Sequence, residues 1–232
     1  MKIIVGNWKM NGTAEQKENM LKALKSAKTD NKVILCLPFT LLSGNNHNII
    51  IGAQDISNHL NGAFTGDVSG QMIKDTGAKY VIVGHSERRF YHHETDEIVK
   101  EKATVAIQYQ LTPIICVGET LDERKSGRTM PAIKKMLLNS VPDYGEYIIA
   151  YEPRWAIGTG ETPKPKEISA AVETIIKALH GIKRDQVKIL YGGSVNSDNV
   201  TEILSLPHID GLLVGGASLK PETFLPIIDS AK

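Results

Sequence analysis

At residues 147–160 the sequence reads Tyr147-Ile148-Ile149-Ala150-Tyr151-Glu152-Pro153-Arg154-Trp155-Ala156-Ile157-Gly158-Thr159-Gly160. Its first five residues form a short apolar run that ends at turn-forming residues, which is typical of a buried strand. Glu152 then lies at the carboxyl end of this strand, directly before a loop that contains proline and glycine. A carboxylate in this position indicates a general base beneath a covering loop. For such a glutamate in isolation, a solvated strand end is the more common explanation.

Seven other apolar runs alternate with segments of helical spacing along the chain. They cover residues 3–5, 33–37, 49–53, 80–83, 113–117, 188–190 and 211–214. Strands that are apolar on both faces and joined by crossovers form parallel sheets. Eight such units predict an α/β fold in which residues 1–232 form a single (β/α)8 barrel domain. A doubly wound open sheet is the alternative, but it rarely needs eight regular units.

The connection between the second and third predicted strands is unusually short. Only residues 38–48 separate them, whereas a parallel crossover needs about 10–12 residues including its helix. We therefore expect the second crossover helix to be shortened to a single turn or nearly absent, and this side of the barrel to be thinly covered. In the first connection, Thr13 and Gln16 have the spacing of a capping box and predict the start of a regular helix.

Charge balance and cysteine content limit the classes of protein to consider. The 232 residues include 27 Lys and Arg against 26 Asp and Glu, which argues against nucleic acid or a membrane surface as the main partner. No apolar run approaches the ~18–20 residues of a membrane span, and a strand begins so close to Met1 that we expect no signal peptide. Cys36 and Cys116 lie inside predicted strands, where buried free thiols are expected. These features favour a cytoplasmic protein.

Polar residues that could take part in catalysis follow several of the predicted strands. Asn7 and Lys9 follow the first strand, Glu152 follows the sixth, and His85 lies in a predicted loop at residues 84–89 after the fourth. Each has an ordinary explanation alone, as a solvated lysine or a hydrogen-bonded turn histidine. In a barrel, however, these positions converge on the carboxyl-terminal face, where such enzymes have their active sites.

Glycine pairs follow the last two strands. Gly192-Gly193-Ser194 and Gly215-Gly216 are weak motifs separately, because most glycine pairs are turns. After strands seven and eight, they fit a phosphate site built from backbone N–H groups and a short helix N-terminus, with the charge of Lys9 nearby. The adjacent His92 and His93 lack the spacing of a metal shell, so we expect no metal.

Several longer motifs resemble those of the triosephosphate isomerase family, in the same order and over nearly the whole chain. They are Asn7-Trp8-Lys9-Met10-Asn11-Gly12, Gly62-Ala63-Phe64-Thr65-Gly66, Gly84-His85-Ser86-Glu87-Arg88-Arg89, Cys116-Val117-Gly118-Glu119-Thr120, the stretch from Tyr151 to Gly160, and Tyr191-Gly192-Gly193-Ser194. The resemblance implies a TIM barrel that interconverts dihydroxyacetone phosphate and D-glyceraldehyde 3-phosphate through an enediolate. It also implies a place in glycolysis, gluconeogenesis and the pentose phosphate pathway. This proton transfer needs no redox cofactor.

The resemblance also implies a role for individual residues. Glu152 would be the base, neutral His85 the electrophile, Lys9 the stabilising charge and Asn7 a substrate-positioning group. Ser86 would orient Glu152, and Glu87 would lie near the lysine. The phosphate would be bound by backbone N–H groups of Gly158, Ser194, Gly215 and Gly216. A lid that contains Trp155, Ala156, Ile157, Gly158 and Thr159 would close over it and exclude water.

A homodimer is the assembly that the resemblance implies. The loop at residues 61–67 would insert near the partner's active site, with Thr65 close to the partner's Asn7 and Phe64 at the tip of the loop. Two features depart from the family pattern: Arg154 at the first hinge of the lid and Glu161-Thr162-Pro163 at the second. Two other functions stay open at this point, an isomerase of larger sugar phosphates and a non-catalytic barrel used for binding.

Overall fold

The computed structural model describes residues 1–43, 49–156, 163–184 and 186–231. Within this part of the chain, eight parallel strands form a closed barrel in sequence order, and β1 pairs with β8 to complete it. The strands are β1 Ile3–Asn7, β2 Lys32–Leu37, β3 Ile50–Ala53, β4 Tyr80–Val83, β5 Thr112–Val117, β6 Ile148–Tyr151, β7 Lys188–Tyr191 and β8 Gly211–Val214. The predicted (β/α)8 barrel is therefore confirmed, and the open sheet is excluded.

Helices connect the strands on the outside of the barrel. In the described ranges they are α1 Ala14–Ser26, α2 Gly70–Asp75, α3 Ser86–Tyr91, α4 Asp96–Gln108, α5 Leu121–Lys125, α6 Thr129–Ser140, α7 Pro165–Gly181, α8 Val200–Ser205 and α9 Pro221–Ser230. The predicted capping box of α1 is confirmed, because Thr13 Oγ1 accepts from the Gln16 N–H and Gln16 Oε1 accepts from the Thr13 N–H. The prediction of a loop over residues 84–89 is wrong. The helix α3 begins at Ser86, and its six residues are too few to show helical periodicity.

The strands are buried on both faces, as the apolar runs required. One group of side chains fills the barrel itself, and it includes Val5, Ile34, Ile82, Ile114 and Leu190. A larger group packs between the strands and the outer helices. Because the interior is filled with side chains, the barrel is a rigid support for the loops at its carboxyl-terminal face. Cys36 and Cys116 are buried free thiols, as predicted.

The second crossover differs from the others. Its described residues contain only a single 3₁₀ turn, Phe39–Leu41, which confirms a shortened helix, while residues 44–48 lie outside the described ranges. The ammonium group of the buried Lys17 on α1 donates to the carbonyl oxygens of Leu41 at 3.3 Å and Ser43 at 2.5 Å. Lys17 thus supplies donors to carbonyl groups that a longer helix would have paired internally.

No helix in the described ranges has both the length and the apolar character needed to cross a membrane.

Candidate active site

A cavity of about 260 Å³ opens at the carboxyl ends of the strands. Its lining brings together residues that the sequence analysis selected from five separate parts of the chain. The lining residues are Asn7, Lys9, His85, Glu152, Gly192, Gly193, Ser194, Val195, Asn196, Leu213, Gly215, Gly216 and Ala217. Strand ends that are distant in sequence converge here because the sheet is closed and all its strands run in the same direction.

The centre of the cavity is a buried pair formed by Glu152 and His85. Glu152 follows β6 directly and is 2% exposed, while His85 follows β4 and is 6% exposed. Glu152 Oε1 lies 3.0 Å from His85 Nε2, and Glu152 Oε2 accepts from the backbone N–H of Ser86 at 3.0 Å. Both carboxylate oxygens are therefore occupied by partners that belong to the β4–α3 connection. Ser86 contacts Glu152 through its backbone N–H and not through its hydroxyl. The identity of the Ser86 side chain therefore does not predict this contact.

The protonation of His85 follows from its position at the start of α3. The backbone N–H of Glu87 donates to His85 Nδ1 at 3.3 Å, so Nδ1 presents its lone pair and the ring proton lies on Nε2. The positive end of α3 also opposes an imidazolium ion at this place. Burial lowers the pKa of His85 as well, but the ionised Glu152 beside Nε2 raises the pKa above its ordinary value. The cationic form thus depends on contact with Glu152.

Glu152 remains a carboxylate despite its burial. Burial raises its pKa, but the contacts with His85 and the Ser86 N–H, together with the charge of Lys9, outweigh this effect and hold the pKa below the usual value. The result is a buried glutamate that stays ionised at neutral pH.

Lys9 lies at the wall of the cavity. Its Nζ is 2.5 Å from Glu87 Oε1, and its backbone N–H donates to Asn7 Oδ1 at 3.0 Å. Lys9 has a φ angle of 52°, a left-handed conformation that is uncommon for a residue with a side chain. The Asn7 amide stabilises this turn, and Glu87 fixes the ammonium group. Glu87 is therefore close to the lysine, where the sequence analysis placed it.

Two glycines give Glu152 the space it occupies. A Cβ atom at Gly118 would lie 1.7 Å from the carbonyl oxygen of Glu152, and one at Gly192 would lie 2.9 Å from its Cγ. Neither contact is sterically possible without a shift, so larger residues at these positions would displace the carboxylate. The sequence analysis quoted both glycines within motifs but assigned neither to Glu152, because the approach is between distant segments.

The other end of the cavity is formed by the loops after β7 and β8. The backbone N–H groups of Gly193 and Ser194 have no hydrogen-bond partner within the described part of the chain. Gly215 and Gly216 line the same region, and a 3₁₀ turn begins at Gly216. This end of the cavity therefore presents amide donors near the Lys9 side chain, whose Cε would lie 3.5 Å from a Cβ at Gly215. Such an arrangement suits an anion.

The described start of the predicted lid is held by a set of contacts that the sequence analysis missed. Trp155 Nε1 donates to Glu119 Oε1 at 2.8 Å, and the Tyr151 hydroxyl donates to Glu119 Oε2 at 3.2 Å. The guanidinium of Arg124 lies 3.9 Å from the centre of the Trp155 ring and is bonded to Glu167 on α7 at 2.6 Å. One signal in the sequence pointed to part of this arrangement. Thr120 and Glu123 have the spacing of a capping box, which the structure contains and which indicates the start of the helix that carries Arg124.

The remaining lid residues fall partly outside the described ranges. Ala156 is buried beside Trp155, whereas Ile157, Gly158 and Thr159 lie within residues 157–162, which are not described. The expected phosphate contact of Gly158 therefore stays a prediction. Arg154 is partly buried, and its backbone N–H donates to the Glu119 carbonyl at 3.1 Å.

The described residues contain no group of three or more His, Cys, Asp or Glu side chains that could hold a metal ion. His92 and His93 are both exposed at the end of α3.

The family of the chain follows from comparison with known proteins. A family model described as triosephosphate isomerase matches residues 2–231. This chain belongs to the triosephosphate isomerase family. Curated triosephosphate isomerases from Albidiferax ferrireducens and Alkaliphilus oremlandii are 45% and 44% identical to it over 243 aligned positions. These alignments cover 99% and 98% of the chain, and 98% of each relative.

The fold is also that of a solved member of the family. The crystal structure of triosephosphate isomerase from Bartonella henselae matches with a TM-score of 0.90 at 37% identity. The match covers 99% of this chain and 98% of the other, so no large domain distinguishes the two. The resemblance inferred from short motifs therefore extends over the whole sequence and the whole fold.

Proposed function

We propose that Glu152, His85, Lys9 and Asn7 carry out the triosephosphate isomerase reaction in this chain. The reaction follows from family membership: dihydroxyacetone phosphate and D-glyceraldehyde 3-phosphate interconvert, as in glycolysis and gluconeogenesis. The observation that carries the assignment of residues is the buried pair of Glu152 and His85 in a cavity that also contains Lys9. A carboxylate base, a neutral donor and a fixed cation are what proton transfer next to a carbonyl requires.

Glu152 would remove a proton from one substrate carbon and return it to the neighbouring carbon. In the observed geometry its Oε1 occupies the hydrogen-bonding position at His85 Nε2. A substrate oxygen needs the same position, so Glu152 must move from the imidazole towards the substrate when the substrate binds. This movement also removes the contacts with His85 and the Ser86 N–H, which lower the pKa of Glu152 more than Lys9 does, while burial, which raises its pKa, remains. The carboxylate thereby becomes a stronger base in the complex.

His85 would donate from Nε2 to the substrate oxygens and exchange protons between them. Once a neutral substrate oxygen replaces Glu152, the main contact that raises the pKa of His85 is lost. Burial, which lowers the pKa, and the Glu87 N–H remain, against the smaller raising effect of the Glu87 carboxylate 3.6 Å from Nδ1. The neutral imidazole is then the favoured form. This agrees with the family to which the chain belongs, which is a known example of catalysis by a neutral histidine.

Lys9 and the glycine loops would bind the charged parts of the substrate. The ammonium of Lys9 would stabilise negative charge on the enediolate, with Asn7 positioning the oxygens. Backbone N–H groups of Ser194, Gly215, Gly216 and Gly158 would bind the phosphate. The cavity of about 260 Å³ is slightly smaller than most ligand sites, which commonly measure about 300–1,000 Å³. This size supports a triose phosphate over a larger sugar phosphate.

A coupled assay with D-glyceraldehyde 3-phosphate tests the proposal directly. We expect fast isomerisation by the wild type and a loss of it in Glu152→Ala. Glu222→Ala, which removes an exposed carboxylate on α9, is the matched control and should retain activity. Equal activity in Glu152→Ala and wild type would remove Glu152 from the base role. Isomerisation of a pentose or hexose phosphate in preference to the triose would instead support the larger-sugar alternative.

We further propose that the active form is a homodimer. Phe64 is 43% exposed at the tip of the 61–67 loop, and Phe90 and Tyr91 are 65% and 70% exposed. The last two line a groove of about 360 Å³ beside Lys9 and Glu87. Exposed apolar side chains of this size commonly mark an interface. A second copy would bury both surfaces if its 61–67 loop, with Phe64 and Thr65, occupied this groove.

Two further proposals concern the organisation and location of the chain. We propose that residues 1–232 form one domain, which is supported by the pairing of β1 with β8. We propose a cytoplasmic location, because the triose phosphates of glycolysis are cytoplasmic metabolites in most cells.

A further inference from the structure

The loop at residues 57–68 projects from the barrel without regular secondary structure, yet it is internally bonded. At its base, the buried Ser57 bonds to Asp67 through their side chains at 2.7 Å, and its backbone N–H donates to the Val68 carbonyl at 2.9 Å. Nearer the tip, the Asp67 N–H donates to the Phe64 carbonyl at 3.0 Å. These contacts close the base of the loop but leave the aromatic side chain at its tip to be oriented by other groups.

A ring stack orients that side chain. The imidazole of His59 lies parallel to the Phe64 ring, with an interplanar angle of 5° and 3.6 Å between the ring centres. His59 belongs to the incoming half of the loop and Phe64 to the outgoing half, so the stack joins the two halves across the tip. Gly62 permits this turn with a φ angle of 129°, and a Cβ there would lie 3.2 Å from the Phe64 ring.

The stack of His59 on Phe64 does not contribute to the hydrophobic core of the barrel. His59 is exposed, Phe64 is 43% exposed, and neither belongs to the hydrophobic core. Ordering an exposed aromatic side chain costs conformational entropy without the return from core burial. A segment that is already ordered, however, loses less entropy when it binds a partner.

We propose that His59 is a positioning residue of the subunit interface, whose stack on Phe64 orders the 57–68 loop for insertion into a second copy of this chain. The inference rests on the homodimer proposed above and adds the residue that prepares its inserted loop. The imidazole suits this place because it is flat enough to stack and polar enough to stay exposed in the separate subunit.

The equilibrium of dimer dissociation gives the first test. We expect His59→Ala to raise the dimer dissociation constant about 5- to 100-fold, because each dimer contains two stacks of ordinary aromatic strength. Sedimentation measures this constant, and the turnover number at saturating protein concentration should stay unchanged because His59 is not part of the catalytic cavity. His59→Phe, which keeps a flat ring, should restore dimerisation.

The order of the loop in the separate subunit gives the second test. Phe90→Asp places a charge in the proposed docking groove and is used as a monomeric background. In this background, His59→Ala should speed amide hydrogen exchange at Asp67, whose N–H bonds to the Phe64 carbonyl, and His59→Phe should reverse the effect. Leu60→Ala is the matched control, since Leu60 is an exposed apolar neighbour outside the stack.

The two measurements separate the possible results. Weaker dimerisation together with faster exchange, both reversed by His59→Phe, supports the proposal. Weaker dimerisation with unchanged exchange would mean that His59 contacts the partner directly, which overturns the ordering role. No change in either measurement also overturns it. A wild type that stays monomeric at all concentrations overturns the homodimer itself, while exchange at Asp67 still reports separately whether the stack orders the loop.

Discussion

At the scale of single residues, the position of the Glu152 carboxylate should matter as much as its charge. Gly118 leaves space for the backbone of Glu152 and Gly192 for its side chain, and the Ser86 N–H holds one carboxylate oxygen. Glu152→Asp keeps the charge but withdraws it by about one carbon–carbon bond. Because a displacement of about 1 Å in a reacting group commonly costs on the order of 10²-fold, we expect this loss in kcat. The coupled assay measures it, and near-wild-type turnover would show that Glu152 is not the base.

His85 allows a complementary prediction that tests the electrophile. His85→Gln retains an N–H donor but removes the ring that exchanges a proton between the two substrate oxygens. We expect kcat to fall about 10²- to 10⁴-fold, the usual contribution of general acid–base catalysis. Circular dichroism and the unfolding midpoint, compared with those of the wild type, serve as the control for correct folding. An unchanged rate in a folded variant would contradict the assignment.

The sequence could predict those residues of the site that lie at the carboxyl ends of strands, because one rule places all strand ends together. Lys9, His85 and Glu152 follow strands and Asn7 is the last residue of β1, and the carboxyl ends of parallel strands meet at one face. The contacts around Glu119 could not be predicted in this way, since they join side chains of β6, α5 and the connections after β5 and β6, whose mutual approach depends on the closed barrel.

At the scale of elements, the strands, the long helices and the short α8 were predictable, and the other short helices were not. The strands are apolar on both faces, and α1 begins with the predicted capping box, so local sequence determines them. The helices α2, α3 and α5 contain five or six residues and carry too little periodicity to identify. They are stabilised by caps such as the Ser69 side chain, which accepts from the Met72 N–H.

The shortened second crossover leads to a prediction about α1. Lys17 bonds to two carbonyl oxygens of this connection, at Leu41 and Ser43. Lys17→Met would keep the aliphatic packing but leave those carbonyls without their donor, so we expect the free energy of unfolding to fall by about 1–3 kcal/mol. Urea unfolding measures the change. Lys22→Met, an exposed substitution on the same helix, should change it by less than about 0.5 kcal/mol. Equal effects of the two variants would show that Lys17 does not support the crossover.

At the scale of the whole molecule, a buried charge network connects three parts of the barrel wall. Glu94 Oε1 accepts from Arg88 Nε at 2.6 Å and from Lys102 Nζ at 2.5 Å. Lys102 and Arg88 also contact Asp55, at 2.8 Å and 2.9 Å. The network therefore joins the exit of β3 to α4 and to α3, the helix that follows directly after the proposed electrophile His85. Composition alone could not reveal it, because the near-neutral charge of the chain gives no sign that four charged groups meet.

Glu94 makes the stability of this network depend on pH in a defined direction. Burial raises its pKa, but Lys102 and Arg88 outweigh this and hold the pKa below the usual value. A carboxyl group with a lowered pKa in the folded state stabilises the protein above its unfolded pKa of about 4.3. This contribution is lost as the pH falls through the lower, folded pKa.

Replacement of Glu94 by Gln should therefore destabilise the protein strongly at neutral pH and less in acid. We expect a loss of about 1.5–3 kcal/mol at pH 7, since the charge-assisted hydrogen bonds of Glu94 with Lys102 and Arg88 are weakened while Lys102 keeps its contact with Asp55. The difference from wild type should shrink as the pH falls below about 4.3. Urea unfolding at one fixed protein concentration measures both effects, because dimerisation would make stability depend on concentration. The exposed substitution Glu173→Gln is the control at pH 7. A difference that stays constant into the acid range would show that the pKa of Glu94 is the same in the folded and unfolded protein, and the charge of Glu94 would then add no pH-dependent stability to the network.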